Sequence, residues 1–386
     1  MVNQELTLRP LVHLLNREAD AGQTALQMLR ATPVTTWPDY FAARPGWMSY
    51  GVFRTVLSYA REQFDRDPRL ALAITTFVTE RVDDIETPPD TIVLSAFIRG
   101  LAYKEHGNAF FGLAKYPEAA DAAERAIQIF GTMPALAVDV AWATLLRAMC
   151  LDELEQTVDA LNLVMRSVRL FGEHSEPRGY MVSLQVCGGI LFGLEEYGAA
   201  RDAYSIALTI AEELNDQKER ARTLNSIGRC SVVLDEFELG EQQLRQAFRL
   251  FHQERMESEM LRSVIGFADV QFRRGNLQIA IDTFHSVYAD LLHFGMIVPA
   301  AQVLVELTDV VTRLTGDLTY ARSECAQLAA RLGDYDLPGN VRAAVAYVAR
   351  ITAAAESVSQ VRAALEYVKQ FLSDILASPS VAFAPA

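Results

Sequence analysis

CGGILFGLEEYGAARDAYSIALTI (187–210) and NSIGRCSVVLDEFELGEQQLRQAF (225–248) decide the fold of this chain. Laid over one another with a 40-residue step, they put Gly188 on Gly228, Ala200 on Gly240 and Ala207 on Ala247. Working outward, the first of these positions returns as Gly107, Ala148, Gly188, Gly228, Ala268 and Asp309, in steps of 41, 40, 40, 40 and 41 residues. Twelve residues beyond each stand Ala119, Ala160, Ala200, Gly240, Ala280 and Ala321, and seven further on Ala126, Ser167, Ala207, Ala247, Val287 and Leu328. Small side chains at fixed places let two antiparallel helices approach closely. Larger ones, such as Tyr103, Leu184 and Leu224 in the first helix and Tyr204, Leu244 and Phe284 in the second, fill the space between them. A helical unit recurring at a fixed period is the sequence mark of a repeat array, in which each unit buries its apolar face against the next.

With HGNAFFGLAKYPEAADAAERAI (106–127) as a third close match, this pattern of small and large positions resembles the tetratricopeptide repeat family over residues 100–335. Two features depart from the common unit. The step is 40 residues instead of roughly 34, and the proline that usually closes a unit is missing. The longer unit is similar to those of kinesin light chains, maltose-type transcription activators and the peptide-sensing regulators of Gram-positive bacteria. The resemblance implies an all-α, right-handed α-solenoid of antiparallel helix pairs whose first helices line a concave groove. It implies a cytoplasmic, bacterial scaffold or regulatory adaptor that binds a partner protein or peptide segment in that groove. The alternative it implies is a regulator whose superhelix changes conformation on binding a short signalling peptide.

The flanks extend the array. GVFRTVLSYAREQF (51–64) and PRLALAITTFVTERV (68–82) read as two amphipathic helices, with Pro68 suited to the first turn of the second. They make residues 51–99 a degenerate repeat. Residues 1–50 form a leader, in which TPVTTWPDYFAARPGWMSY (32–50) carries three prolines and five large aromatic residues and offers a second possible interface. The stretch 23–41 fails as a DNA-reading helix-turn-helix, because Pro33 and Pro38 fall in or beside the recognition helix and Arg30 is its only basic residue. VRAAVAYVARITAAA (341–355) and SVSQVRAALEYVKQFLSDIL (357–376) predict a capping pair within 336–376, followed by a disordered tail at 377–386.

Composition narrows the function. Of 386 residues, 51% are hydrophobic and 22% charged, which suits a folded chain with an extensive core. A net charge of −14 opposes the counterion release that drives phosphate-backbone binding, so no nucleic acid partner is expected. No run of eighteen apolar residues and no basic leader precede the repeats, so neither membrane nor export is expected. Cys150, Cys187, Cys230 and Cys325 lack the paired spacing of a zinc site or disulfide framework and read as buried packing residues. No phosphate loop, dinucleotide fingerprint, zincin motif or nucleophile elbow occurs. Gly188, Gly189 and Gly193 are assigned to helix packing, and His106, His252 and His285 lack neighbours that would make them ligands or bases. No catalytic residue, metal or cofactor is expected, and the chain is not read as an enzyme.

The repeat phase then selects candidate binding residues on the first helices. Repeat one presents Lys104, Asn108 and Phe111, and repeat three Gln185 and Phe192. Repeat four presents Arg222, Asn225 and Arg229, and repeat five Arg262, Asp269 and Arg273. Residues 222, 225 and 229 share one helical face by their spacing. Guanidinium groups fork onto carboxylates, and an asparagine amide offers a peptide backbone both a donor and an acceptor. Four arginines in two adjacent repeats predict a local basic groove. The competing reading has these side chains pairing with Glu or Asp on neighbouring helices. By resemblance, Lys104 and Asn108 match the positions at which carboxylate-clamp members hold a chain terminus, although Leu146 stands where that pattern wants asparagine.

Overall fold

A computed structural model describes residues 19–64, 67–85, 91–293, 297–333 and 339–377; the expected tail, apart from its first residue, and residues 1–18 of the leader lie outside them. Among the described residues every regular element is a helix. After helical residues 19–29 and a short helix, Trp37–Ala42, come α1 (Tyr50–Gln63) and α2 (Pro68–Thr79). The pairs that follow are α3 (Ile92–Phe111) and α4 (Tyr116–Gly131), α5 (Ala137–Glu153) and α6 (Thr157–Glu173), and α7 (Pro177–Gly193) and α8 (Tyr197–Glu213). Next are α9 (Gln217–Val233) and α10 (Phe237–Gln253), then α11 (Glu257–Arg273) and α12 (Leu277–His293). Last come α13 (Ile297–Thr315), α14 (Leu318–Gly333), α15 (Gly339–Ala354) and α16 (Val358–Ala377). The chain forms two compact units, Met1–Ile190 and Leu191–Ala386.

Local chemistry sets the helix ends. Ser49 caps α1 by accepting from Val52 N, Asp67 caps α2 from Leu70 N with Pro68 behind it, and Asp216 caps α9 from Glu219 N. Nine helix C-termini share one device that the sequence conceals. Ala114, Glu155, Glu195, Asp235, Gly275 and Gly316 have positive φ after first helices, as do Ser175, Asn215 and Arg255 after second helices. In eight of these turns the next amide reaches back five residues, as from Glu196 N to Leu191 O at 2.9 Å and from Asp216 N to Ala211 O at 3.0 Å. Such a bond closes a Schellman turn, which normally recruits glycine. Here only Gly275 and Gly316 are glycine, so no glycine rhythm marks the repeat boundaries.

The small positions pack as their spacing predicts. A Cβ on Gly228 would lie 3.2 Å from the Gly240 carbonyl, and one on Gly107 would lie 3.2 Å from that of Ala119. Backbone therefore meets backbone at the first and second small sites of a repeat. Gly193 does not fit: a Cβ there would meet nothing within 4 Å, so helix packing does not explain it. Asp309, which occupies the first small site in repeat six, is a buried carboxylate 3.5 Å from Arg362 on α16.

In the first unit the largest core gathers α1 to α5 and the leader aromatics. Trp37, Phe41, Trp47 and Tyr50 are buried, and Phe41 stacks on Phe53 at 5.6 Å. The Trp37 indole donates to the Leu29 carbonyl at 3.2 Å. These side chains are core, which removes the aromatic leader as a free interface. Pro134–Glu153 is apolar and long enough to cross a membrane by composition, but half of it is buried, as α5 packs between α4 and α6. In the second unit the largest core runs from Ala268 to Leu372, and α16 packs directly on α13.

Candidate partner-binding site

On α9, Arg222, Asn225 and Arg229 follow one another along a single face, and each side chain does something different. The Asn225 amide is buried, and its Oδ1 accepts from Ser263 Oγ on α11 at 2.9 Å. It ties the first helices of repeats four and five together. Arg222 is bridged: Nη1 donates to Glu219 Oε1 at 2.6 Å and Nη2 to Glu259 Oε1 at 3.2 Å. On α11, Arg273 pairs with Asp269 at 3.1 Å, and the Arg262 side chain lies outside the described residues. The expected surplus of positive charge is therefore largely cancelled, in the manner of the competing reading. Glu219 and Glu259 are 40 residues apart and occupy the same repeat position. The period alone could have revealed this carboxylate ladder.

Arg229 is the exception. It is exposed, makes no ion pair among the described residues, and places its guanidinium 4.9 Å from the centre of the Phe192 ring. Phe192 in turn meets Tyr197 edge-on, with ring centres 5.1 Å apart. A guanidinium stacked on an aromatic face is held in plane by the ring quadrupole, while its N–H edges stay directed outward. Repeat three supplies the ring and repeat four the cation, a pairing that no sequence spacing announced. The repeat-one counterpart, Phe111 against Tyr116 at 5.4 Å, has the same edge-on aromatic contact.

In the first unit, Gln185 is half-buried on α7, and Lys104 and Asn108 turn toward a group that sequence reading missed. Glu105 on α3 is buried and accepts from Arg61 of α1. The Lys104 ammonium lies 3.0 Å from its Oε1, and Asn108 Nδ2 donates to Oε2 at 2.9 Å. Burial alone would raise the Glu105 pKa, but Lys104, Arg61 and the two hydrogen bonds outweigh it and hold the carboxyl below its usual range. Lys104 and Asn108 thus hold a carboxylate, and it is the chain's own.

His106 and the cysteines sit in surroundings that favour their neutral forms. His106 Nδ1 lies 3.0 Å from Thr75 Oγ1, and burial with the nearby Arg125 lowers its pKa to about 4. All four cysteines are buried free thiols, and burial pushes Cys150 up to about 12 and Cys230 and Cys325 to about 11.

No protein-family model matches the sequence, and no curated protein matches it. Solved structures do resemble its backbone. Aspartyl phosphate phosphatase F from Bacillus subtilis has a TM-score of 0.57 at 11% identity, over 86% of this chain and 85% of that one. A Rap protein complexed with competence and sporulation factor has a TM-score of 0.51 at 13% identity, over 84% of this chain and 99% of that one. A signal transduction ATPase with a tetratricopeptide repeat sensor from Pyrococcus horikoshii has a TM-score of 0.53 at 12% identity, over 85% and 53%. Likeness at these identities is likeness of fold: the chain is an all-α solenoid of tetratricopeptide-like helix pairs.

Proposed function

We propose that this chain is a non-enzymatic scaffold or regulatory adaptor whose second unit holds an acidic segment of a partner protein or peptide, with Arg229 as the anchor. One observation carries the reading: the exposed Arg229 guanidinium, stacked on Phe192 and without a carboxylate among the described residues, is preorganised for one. Arg222 would have to exchange Glu219 or Glu259 for a ligand and so adds little, since exposed ion pairs are worth about 0–1 kcal/mol. Asn225 acts through Ser263 by setting the spacing of α9 and α11. The raised cysteine pKa values and the lowered His106 value support binding over catalysis.

A second reading is a sensor that changes conformation on binding a short peptide. It is favoured by the fold shared with the Rap protein solved with competence and sporulation factor.

An array of short acidic, neutral and basic peptides, probed with the full chain, tests the anchor. Acidic sequences should bind, and Arg229→Ala should weaken them by about 1.5–3 kcal/mol, the worth of hydrogen bonds to a charged group. Arg222→Ala should change little. Acidic spots that bind the Arg229→Ala chain as well as the native one would move the site elsewhere.

A further inference from the structure

The first unit contains a cavity that the Arg229 face does not use. About 700 Å3 of open space lies between the N-terminal half of α3, the C-terminal half of α4 and the turn Val82–Asp84. That volume is within the range of roughly 300–1,000 Å3 typical of small-molecule sites. The lining surface is mainly apolar, with Ile92, Ala96, Ile129 and Met133 as its aliphatic side chains, and Ile92 keeps 53% of its surface in solvent. An apolar side chain left open beside a concave surface is an incentive for an apolar ligand.

Two cations also line this space. Arg99 Nε lies 3.1 Å from Asp83 Oδ1, yet its buried N–H makes no hydrogen bond, so Asp83 offsets the charge and leaves the donor unused. Arg125 is exposed, sits 5.7 Å from the centre of the Tyr103 ring and makes no ion pair among the described residues. Two guanidinium groups against one carboxylate leave this cavity positive in a chain of net charge −14. A single surplus charge suits a monoanion, whereas a phosphate dianion would bring its second charge against Asp83.

We propose that this cavity binds a small amphiphilic carboxylate. Its head lies between Arg99 and Arg125 and its aliphatic body lies against Ile92, Ile129 and Met133. The head meets the part of the Arg99 guanidinium that stays in solvent, its side chain being 35% exposed, and the outward N–H edges of Arg125, and the body covers the apolar wall. The free acid of an acyl chain and the terminus of a peptide ending in an aliphatic residue share this chemistry. The site is independent of Arg229.

Isothermal titration of the full chain at neutral pH tests it, with octanoate standing for a free acid and N-acetyl-leucine for a peptide terminus. Octanol lacks the charge and acetate lacks the body. At least one of the two acids should bind, the tighter one identifying the source, and octanol and acetate should bind at least tenfold more weakly. Arg125→Gln, a surface change that spares the fold, should weaken the acid about tenfold. Met133→Trp should weaken binding by crowding the place of the aliphatic body beside Ile92 and Ile129, and Arg229→Ala should leave it unchanged. The proposal is overturned if neither acid binds, if octanol binds as well as octanoate, or if Arg125→Gln and Met133→Trp bind like the native chain.

Discussion

Replacing Arg61 with Ala removes one of the donors that hold the buried Glu105 carboxylate, and its effect should depend on pH in a defined direction. Removing one partner of a fully buried ion pair costs about 3–5 kcal/mol, because the other charge is left without compensation. Two facts reduce that figure here. Lys104 and Asn108 remain in contact with Glu105, and the Arg61 side chain keeps 57% of its surface in solvent, which screens it. About 1–2 kcal/mol at neutral pH follows.

In the native chain the Glu105 carboxyl is held below its usual 4.5, so ionised Glu105 contributes stability that is present above that value and lost as pH falls through the folded pKa. Without Arg61, burial regains weight and the pKa rises. The gap between native and Arg61→Ala chains should therefore be widest near pH 7 and close as pH falls through the lowered Glu105 pKa and both chains protonate. Because the chain has two compact units, amide exchange in α1 and α3 is a better measure than one global transition. Glu105→Gln in the Arg61→Ala background should recover part of the loss, since no buried carboxylate is then left short of donors. A penalty that stays constant or grows on acidification would refute the account of Glu105 as an ionised, donor-held carboxylate.

Two further outcomes follow from the packing. Glu195 adopts φ 64°, so Glu195→Gly should raise stability by about 1 kcal/mol by relieving left-handed strain, measurable as slower exchange at the end of α7; a loss of stability would contradict the turn. A Cβ on Gly179 would overlap the buried ring of Phe171, so Gly179→Ala should cost about 1–3 kcal/mol through overpacking. Adding Phe171→Leu should relieve it, and strictly additive effects in a double-mutant cycle would deny the contact.

Much of this architecture is legible in the amino-acid order because it rests on short-range sterics. Gly228 and Gly240 can be small only where two helices touch, and that need recurs at every step of the period. The helix termini were less legible. Seven left-handed residues are Ala, Glu, Ser, Asn, Asp or Arg, so the turns had to be inferred from the packing rhythm and not from glycine. The leader aromatics show another limit, since an aromatic cluster among prolines reads alike as an interface or as core, and only the burial of Trp37 and Phe41 separates the two.

For the binding face, the sequence by itself determined which helices carry Arg222, Asn225 and Arg229 and that these residues share a side. Only the tertiary structure decided what each one meets. Ser263 takes Asn225, Glu219 and Glu259 take Arg222, Glu105 takes Lys104 and Asn108, and the Phe192 ring receives Arg229. The physical reason is one of range. A repeat period encodes where Cα atoms return, whereas the charge state of a surface depends on which side chains from different helices come within a few ångströms of one another.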